Sequence, residues 1–543
     1  MKHCSGQCLI TVMELQRNNV YCDESNGEKT GLKDPMKSAL KVLFGLDYLF
    51  PYQRLVISNI LEAAQAKGFT VNWPVMPDMD SADGNEPFDN ADPAEPEKPD
   101  QENPGRQIVI LPTGAGKSLC FQLPAMLLDG PTLVIYPILS LMADQERRLR
   151  EKGFAPVLIR GGQTAEEREA VWENLRSGKS RFMIANPEVL LTPAVMEKLP
   201  SLGIIHLVID EAHCVSEWGE SFRPSYLRIG EIADAIGGKP LITAFTATAS
   251  ETVLEKIDRY IFSSGGNPGA QRIIGNPDRS NIYYSACGAL LRDLAVRDLL
   301  AVNERPAIVF CSSRDGVMKL ARYLQNCFND REIKFYHAGL AREEKTAVEK
   351  WFFPNPDAVL VSTCAYGMGV DKADIRTIIH RDCPPSVEAY LQESGRAGRD
   401  GKNSRAIFLW GPDDYKKAGR NKSAADLKRQ QALLDYSRNT QSCRRDNLLN
   451  LLNYEGPRDS PGDCCCDVCS GSAKEHYREE NAAHDFFRRN KRAYTINGAA
   501  NLLGKARNLQ IGEPEAKELI CDLLALGKIK KSKNPLWKNR LTV

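Results

Sequence analysis

Leu111-Pro112-Thr113-Gly114-Ala115-Gly116-Lys117-Ser118 is the stretch on which the fold turns. It follows the apolar run Gln107 to Leu111 and precedes a helical pattern from Leu119 to Leu128, so the order is strand, glycine-rich turn, helix. Glycine there lets backbone N–H groups converge on an anion, and the helix N-terminus adds the positive end of its dipole. Lys117 reaches the outer phosphates of a nucleoside triphosphate and Ser118 holds Mg²⁺, while Pro112, Thr113, Gly114, Ala115 and Gly116 form the cradle. The strict phosphate-loop pattern has glycine where Leu111 stands, so this is the shorter Gly-x-Gly-Lys-Ser form.

Outward from that loop, strands and helices alternate. Thr132 to Tyr136 reads as a buried strand, and Ile204 to Ile209 as another that ends in Asp210-Glu211-Ala212-His213. At the carboxyl end of a parallel strand, Asp210 faces the nucleotide's Mg²⁺ and Glu211 orients and deprotonates the attacking water. Leu241 to Phe245 is a third strand, followed by Thr246-Ala247-Thr248-Ala249, whose hydroxyls are placed to sense the γ-phosphate. Upstream, apolar positions from Met36 to Leu46 and from Val56 to Ala63 recur at helical spacing, with Gln53 between them.

A second alternation begins near Ala286 and includes the strands Ala307 to Cys311 and Ala358 to Thr363. It has no phosphate loop. It does carry Gln392-Glu393-Ser394-Gly395-Arg396-Ala397-Gly398-Arg399, which predicts two arginines on one helical face beside glycines that permit close approach. Such a pair suits a domain that closes on a phosphate bound elsewhere.

The 543 residues exceed one hydrophobic core and suggest about three or four domains. The net charge of +1 hides opposed blocks. Residues 76–104 hold ten acidic side chains against Lys98 alone, a net −9, and read as a disordered loop. Residues 488–543 hold thirteen Lys and Arg against four Asp and Glu, a net +9, so the local field there is strongly positive. No apolar run approaches a membrane span, and Cys8 to Met13 is too short for a secretory leader, so a soluble cytoplasmic protein is expected, nucleoid-associated if bacterial. Residues 1–35, with Cys4, Cys8 and Cys22, have no clear periodicity and stay unassigned. Farther on, Cys443 is followed by Cys464-Cys465-Cys466-Asp467-Val468-Cys469, and four thiolates on one ion suit a closed structural Zn²⁺ site. In the tail, Ala499 to Leu503 and Ala516 to Leu526 read as amphipathic helices and Gly527 to Val543 as a basic hairpin turning near Asn534-Pro535. Lys528, Lys530, Lys531, Lys533, Lys538 and Arg540 on it suit DNA phosphates, and Trp537 joins them.

With these stretches assembled, the chain resembles the RecQ family of superfamily 2 DNA helicases from about Leu43 to Cys469, with a DEAH-type second motif and weaker similarity beyond. The resemblance implies ATP and Mg²⁺ as cofactors with Zn²⁺ in the cysteine site, and 3′-to-5′ movement on single-stranded DNA with unwinding of duplex or forked DNA in repair or recombination. It implies that Gln53 reads adenine, that Arg399 is the arginine finger with Arg396 and Gln392 in support, and that Asp371 belongs to the nucleotide set. It also implies that Trp218, Phe222 and Arg223, in the loop Cys214 to Tyr226, couple single-strand binding to hydrolysis, a stacked base being worth about 1–3 kcal/mol. Family spacing puts a zinc ligand at Asp463, so Cys464 or Cys465 serves instead, Cys465 being favoured beside Cys443, Cys466 and Cys469. Three departures stand out: Glu220-Ser221 replaces His-Asp, Phe50 replaces an arginine beside Gln53, and the acidic insertion is additional.

The expected architecture is two α/β RecA-like parallel-sheet domains at 36–275 and 276–415 with ATP between them. A helical zinc-binding module at 416–475 and an abbreviated winged helix at 480–543 follow. No counterpart of the further accessory domain that ends many relatives is expected. Two rivals stay open at this point: a DNA-binding scaffold with a slow ATPase switch, and an RNA helicase.

Overall fold

A computed structural model describes residues 9–11, 34–74, 105–112, 114–217, 223–262, 269–329, 332–363, 372–414, 424–452, 454, 465–505 and 511–543. The acidic insertion from residue 76 to 104 lies outside them, as do Thr113, Trp218, Glu220, Ser221, Phe222, Asp371 and Cys464. The chain divides into two compact units, Met1–Pro277 and Asp278–Val543.

The first unit is built on eight parallel strands: β1 (Leu9–Thr11), β2 (Arg106–Ile110), β3 (Thr132–Ile135), β4 (Val157–Leu158), β5 (Phe182–Ala185), β6 (His206–Ile209), β7 (Leu241–Thr246) and β8 (Gln271–Ile274), in the order β1-β8-β2-β7-β6-β3-β5-β4. Its central strands are largely apolar and buried on both faces: Ile108 and Ile110 enter one core, Val109 and Phe245 the other, while Gln107, His206 and Thr243 are buried polar residues among them. The unassigned N-terminal stretch contributes β1, an edge strand in register with β8. Because β2, β7 and β6 are neighbours, the three segments singled out in the sequence leave the sheet side by side at its carboxyl edge.

The second unit holds β9 (Ile282–Gly288), β10 (Ala307–Phe310), β11 (Ile333–Tyr336), β12 (Val359–Ser362), β13 (Thr377–His380) and β14 (Ser404–Trp410), all parallel in the order β11-β12-β10-β13-β14-β9. The cysteine segment shares a core with this sheet: Leu433, Tyr436, Leu448 and Cys466 pack with Tyr284, Tyr390 and Phe408. Helices Glu480–Arg489, Ile496–Leu503 and Glu513–Ala525 pack around Phe487 and Leu519 and against Leu290, Leu291 and Leu294. Strands β15 (Lys530–Lys531) and β16 (Leu541–Thr542) pair antiparallel and complete the abbreviated winged helix. Among the described residues, no helix is long and apolar enough to cross a membrane.

Candidate nucleotide and metal sites

Gly116 caps helix Lys117–Leu127 with φ +71°, and Gly114 precedes it at φ +85°; both lie in the left-handed region that glycine enters without penalty. Gly116 also makes room for a neighbour, since a Cβ there would lie 2.5 Å from Gln53 Nε2. Gln53 is buried, and its Nε2 donates to the Ala115 carbonyl at 2.9 Å while its Oε1 accepts from the Phe50 N–H at 3.0 Å. Pro51 opens helix Pro51–Ala66, and Gln53 in its first turn joins the Phe50 N–H at the helix start to the Ala115 carbonyl of the loop. Tyr52 Oη donates to the same carbonyl at 3.4 Å, and Lys117 Nζ donates to Leu111 O at 3.1 Å. Phe50, the departure from the family pattern, is half exposed and stacks on Tyr52 with centroids 5.4 Å apart. Gly116→Ala is expected to lower nucleotide affinity about five- to thirtyfold, because the left-handed residue costs about 1–2 kcal/mol, with the Gln53 clash added to it. Titration with a fluorescent ATP analogue reads this, and an unchanged affinity would contradict the packing.

At the end of β6, burial and the Glu211 charge push the Asp210 carboxyl up to about 7, against the pull of Lys117, the Glu211 N–H and His213. A buried acid held that high is poised to take a cation, whose charge restores the carboxylate. Glu211 sits at φ +51°, and its Oε2 lies 3.4 Å from His213 Nδ1. That nitrogen is also 3.1 Å from Thr246 Oγ1, which in turn donates to Thr248 O at 2.9 Å. The Thr246 hydroxyl therefore turns inward and joins the end of β7 to the end of β6. His213 is the residue whose part the sequence did not disclose, because its partner lies 33 positions away.

One expectation is corrected in the second unit. Helix Val387–Ser394 ends before Arg396, so Arg396 and Arg399 share no helical face. They lie in successive turns: Arg396 N donates to Glu393 O, Ala397 N to Ser394 O, and Gly398 adopts φ +55°. A Cβ at Gly398 would lie 2.5 Å from Asn281 Nδ2 and from Lys402 O, so glycine is required and the helix cannot continue. Gln392 is half-buried on the helix, Arg396 is buried and Arg399 is partly exposed.

Arg223 donates to Pro137 O and lies 3.6 Å from Glu188, tied within the first unit. In the tail, Lys530 and Lys531 are exposed on β15. Trp537 is 40% exposed with Arg540 over its ring at 5.5 Å, and Lys528 pairs with Glu480 at 2.6 Å.

The sulfurs of Cys443, Cys465, Cys466 and Cys469 all lie within 4.8 Å of one another. A tetrahedral ion with bonds of about 2.3 Å needs sulfurs roughly 3.8 Å apart. Cys443 and Cys465 are 3.4 Å apart and Cys443 and Cys466 3.9 Å, so the donor set fits. Cys466 Sγ also accepts N–H groups from Arg444 and Cys469, and Cys466 is held below the usual thiol range. A cavity of about 750 Å³ in the second unit is lined by β9 from Tyr283 to Gly288, by Ser404 and Arg405 at the start of β14, and by Lys474 among others.

The DEAD/DEAH box helicase family matches residues 100–257, and the helicase conserved C-terminal domain matches residues 290–401. The ATP-dependent DNA helicase RecQ of Bacillus subtilis (strain 168) is 31% identical over 413 residues, covering 74% of this chain and 68% of that one. RecQ of Pasteurella multocida (strain Pm70) is 33% identical over 378 residues, covering 68% of this chain and 58% of its own length. Against that relative and its Haemophilus influenzae counterpart, the chain spans a little under three-fifths of the full length. In fold, it is similar to the Mss116p structure bound to single-stranded RNA and AMP-PNP (TM-score 0.53, 15% identity, 97% and 96% of the two chains). It is likewise similar to the DUF1998 helicase MrfA bound to DNA (TM-score 0.51, 17% identity, 74% and 56%). The two family matches fall one on each sheet, and the likeness to the B. subtilis protein runs over most of both chains: this chain belongs to the RecQ family of ATP-dependent DNA helicases.

Proposed function

We propose that the chain is an ATP-dependent DNA helicase that moves 3′-to-5′ along single-stranded DNA and unwinds duplex or forked DNA in repair or recombination. The observation that carries this reading is the convergence of Lys117, Asp210 and Glu211 at the carboxyl edge of β2, β7 and β6, in a chain of this family. In this reading the loop from Pro112 to Ser118 cradles the phosphates, Lys117 holds the outer ones, and Ser118 and Asp210 hold Mg²⁺. Glu211 takes the proton from the attacking water, with His213 orienting its carboxylate and Thr246 reporting the state of the site to the Thr246-to-Ala249 segment. Gln53 reads adenine, Asp371 joins the nucleotide set, and Arg399 neutralises charge developing on the γ-phosphate, with Arg396 and Gln392 in support.

Zn²⁺ is the ion that suits four thiolates, and in the cysteine cluster it supplies structure rather than chemistry. Trp218, Phe222 and Arg223 contact the single strand, and the hairpin presents Lys530, Lys531 and Trp537 to DNA. The direct test is strand displacement on duplexes carrying a 3′ or a 5′ single-stranded tail. ATP-dependent release from the 3′-tailed substrate alone is expected, and release from neither would overturn the proposal.

A further inference from the structure

The segment entering β9 grips, and is gripped by, two regions far away in sequence. The Arg279 guanidinium donates to Gly395 O at 3.0 Å, Ala397 O at 3.2 Å and Gly398 O at 2.9 Å. Asn281 Nδ2 donates to Gly398 O and Lys402 O, both at 2.8 Å. These carbonyls follow the end of helix Val387–Ser394, where no later turn of helix supplies N–H donors, and they frame Arg396 and Arg399. One planar, multi-donor fork serves all three carbonyls that Arg279 touches, which a lysine ammonium cannot do with the same rigidity.

On its other side the segment is held by Arg445, two residues beyond Cys443. The Arg445 guanidinium donates to the Asp278 carboxylate, to Arg279 O at 2.9 Å, to Ser280 O at 3.5 Å and to Ile282 O at 2.8 Å. Arg445 and Asp278 are almost fully buried, so the hold is not diluted by solvent. Just beyond, Tyr284 N donates to Cys465 O at 3.3 Å and Asp467 N to Tyr284 O at 3.1 Å, which docks the cysteine segment on the edge of β9.

We propose that Arg279 and Asn281 are positioning residues for the loop bearing Arg399, and that Arg445 holds them in place, so that the cysteine module sets the rate of ATP hydrolysis through this double clamp. The proposal rests on Arg399 being the arginine finger. The clamp acts only on where that finger stands in the transition state, and a displacement of about 1 Å in such a group costs roughly 10² in rate. The Arg279→Ala chain is therefore expected to lose about 10²-fold in kcat, with its KM for ATP little changed.

The test is a double-mutant cycle between Arg279→Ala and Arg399→Ala, read by single-turnover hydrolysis of radiolabelled ATP on the full chain so that slow rates stay measurable. Arg279→Ala is expected to lower the rate in the parent and to have no further effect once Arg399 is alanine. Asn281→Ala repeats the cycle with a smaller truncation in case Arg279→Ala does not fold. Arg445→Ala is expected to lower kcat while the protein keeps its bound zinc, measured by metal analysis. Equal losses with and without Arg399, or a loss in KM rather than kcat, overturn the clamp. If Arg399→Ala alone leaves the rate intact, it is the finger assignment that fails.

Discussion

Arg399→Ala is expected to lower DNA-stimulated turnover by about 10³ to 10⁵, the range an arginine finger supplies, while ATP binding stays close to the parent value. The loop that carries Arg399 is held by contacts from several neighbouring residues. The loop is shaped by Gly398 at φ +55°, by the carbonyl contacts of Arg279 and Asn281, and by the backbone turn from Glu393. None of these uses the Arg399 side chain. Arg399 is partly exposed where Arg396 is buried, so truncating Arg399 leaves no cavity in the core. Steady-state hydrolysis and nucleotide titration on the same preparation check it. A turnover within tenfold of the parent would sink the assignment.

Cys466→Ala is expected to abolish zinc retention and to unfold the cysteine segment locally while both sheets persist. Cys466 is the most deeply buried of the four, packs in the core around Tyr284 and Tyr390, and accepts two backbone N–H groups. Metal binding at such sites carries about 10–16 kcal/mol of apparent free energy, far more than a buried methyl or a hydrogen bond supplies. Loss of the segment releases Arg444 and Arg445 together: Arg444 is buried with Asp467 and donates to Tyr436 O, and Arg445 holds the entry to β9. With Zn²⁺ in the proposed site, metal analysis should fall from one zinc per chain to none, and limited proteolysis should cut between residues 424 and 475 first. Retention of a full equivalent of zinc would show that another residue completes the site.

Much of the first unit was legible because its strands are buried on both faces and end in chemistry. A run such as Ile108-Val109-Ile110 flows into a glycine turn, and Leu207-Val208-Ile209 into Asp210-Glu211, so pattern and motif reinforce each other. The short edge strands were not legible: β1 and β4 span three and two residues, too few for periodicity, and they become strands only by pairing with β8 and β5. The spacing of Arg396 and Arg399 permits one helical face, whereas the helix ends at Ser394 and the turn beyond it is shaped by Gly398 against Asn281 and Lys402, contacts that local spacing does not reveal. Arg279, Asn281 and Arg445 carried no signal at all. Their partners lie 116 to 167 positions away, and an arginine before a strand looks like any surface cation until the fold brings carbonyls to it. The cysteines were legible in both type and number, since four thiols at short range have few other uses.

The central claim, a DNA-driven ATPase motor, is tested most directly by steady-state ATP hydrolysis without nucleic acid, with single-stranded DNA and with single-stranded RNA, using Lys117→Ala as the blank. Strong stimulation by DNA, little by RNA and none in the Lys117→Ala chain is the predicted result. Hydrolysis that is flat across all three conditions would contradict it and leave a nucleotide switch whose Glu220-Ser221 departure has severed DNA from the catalytic site.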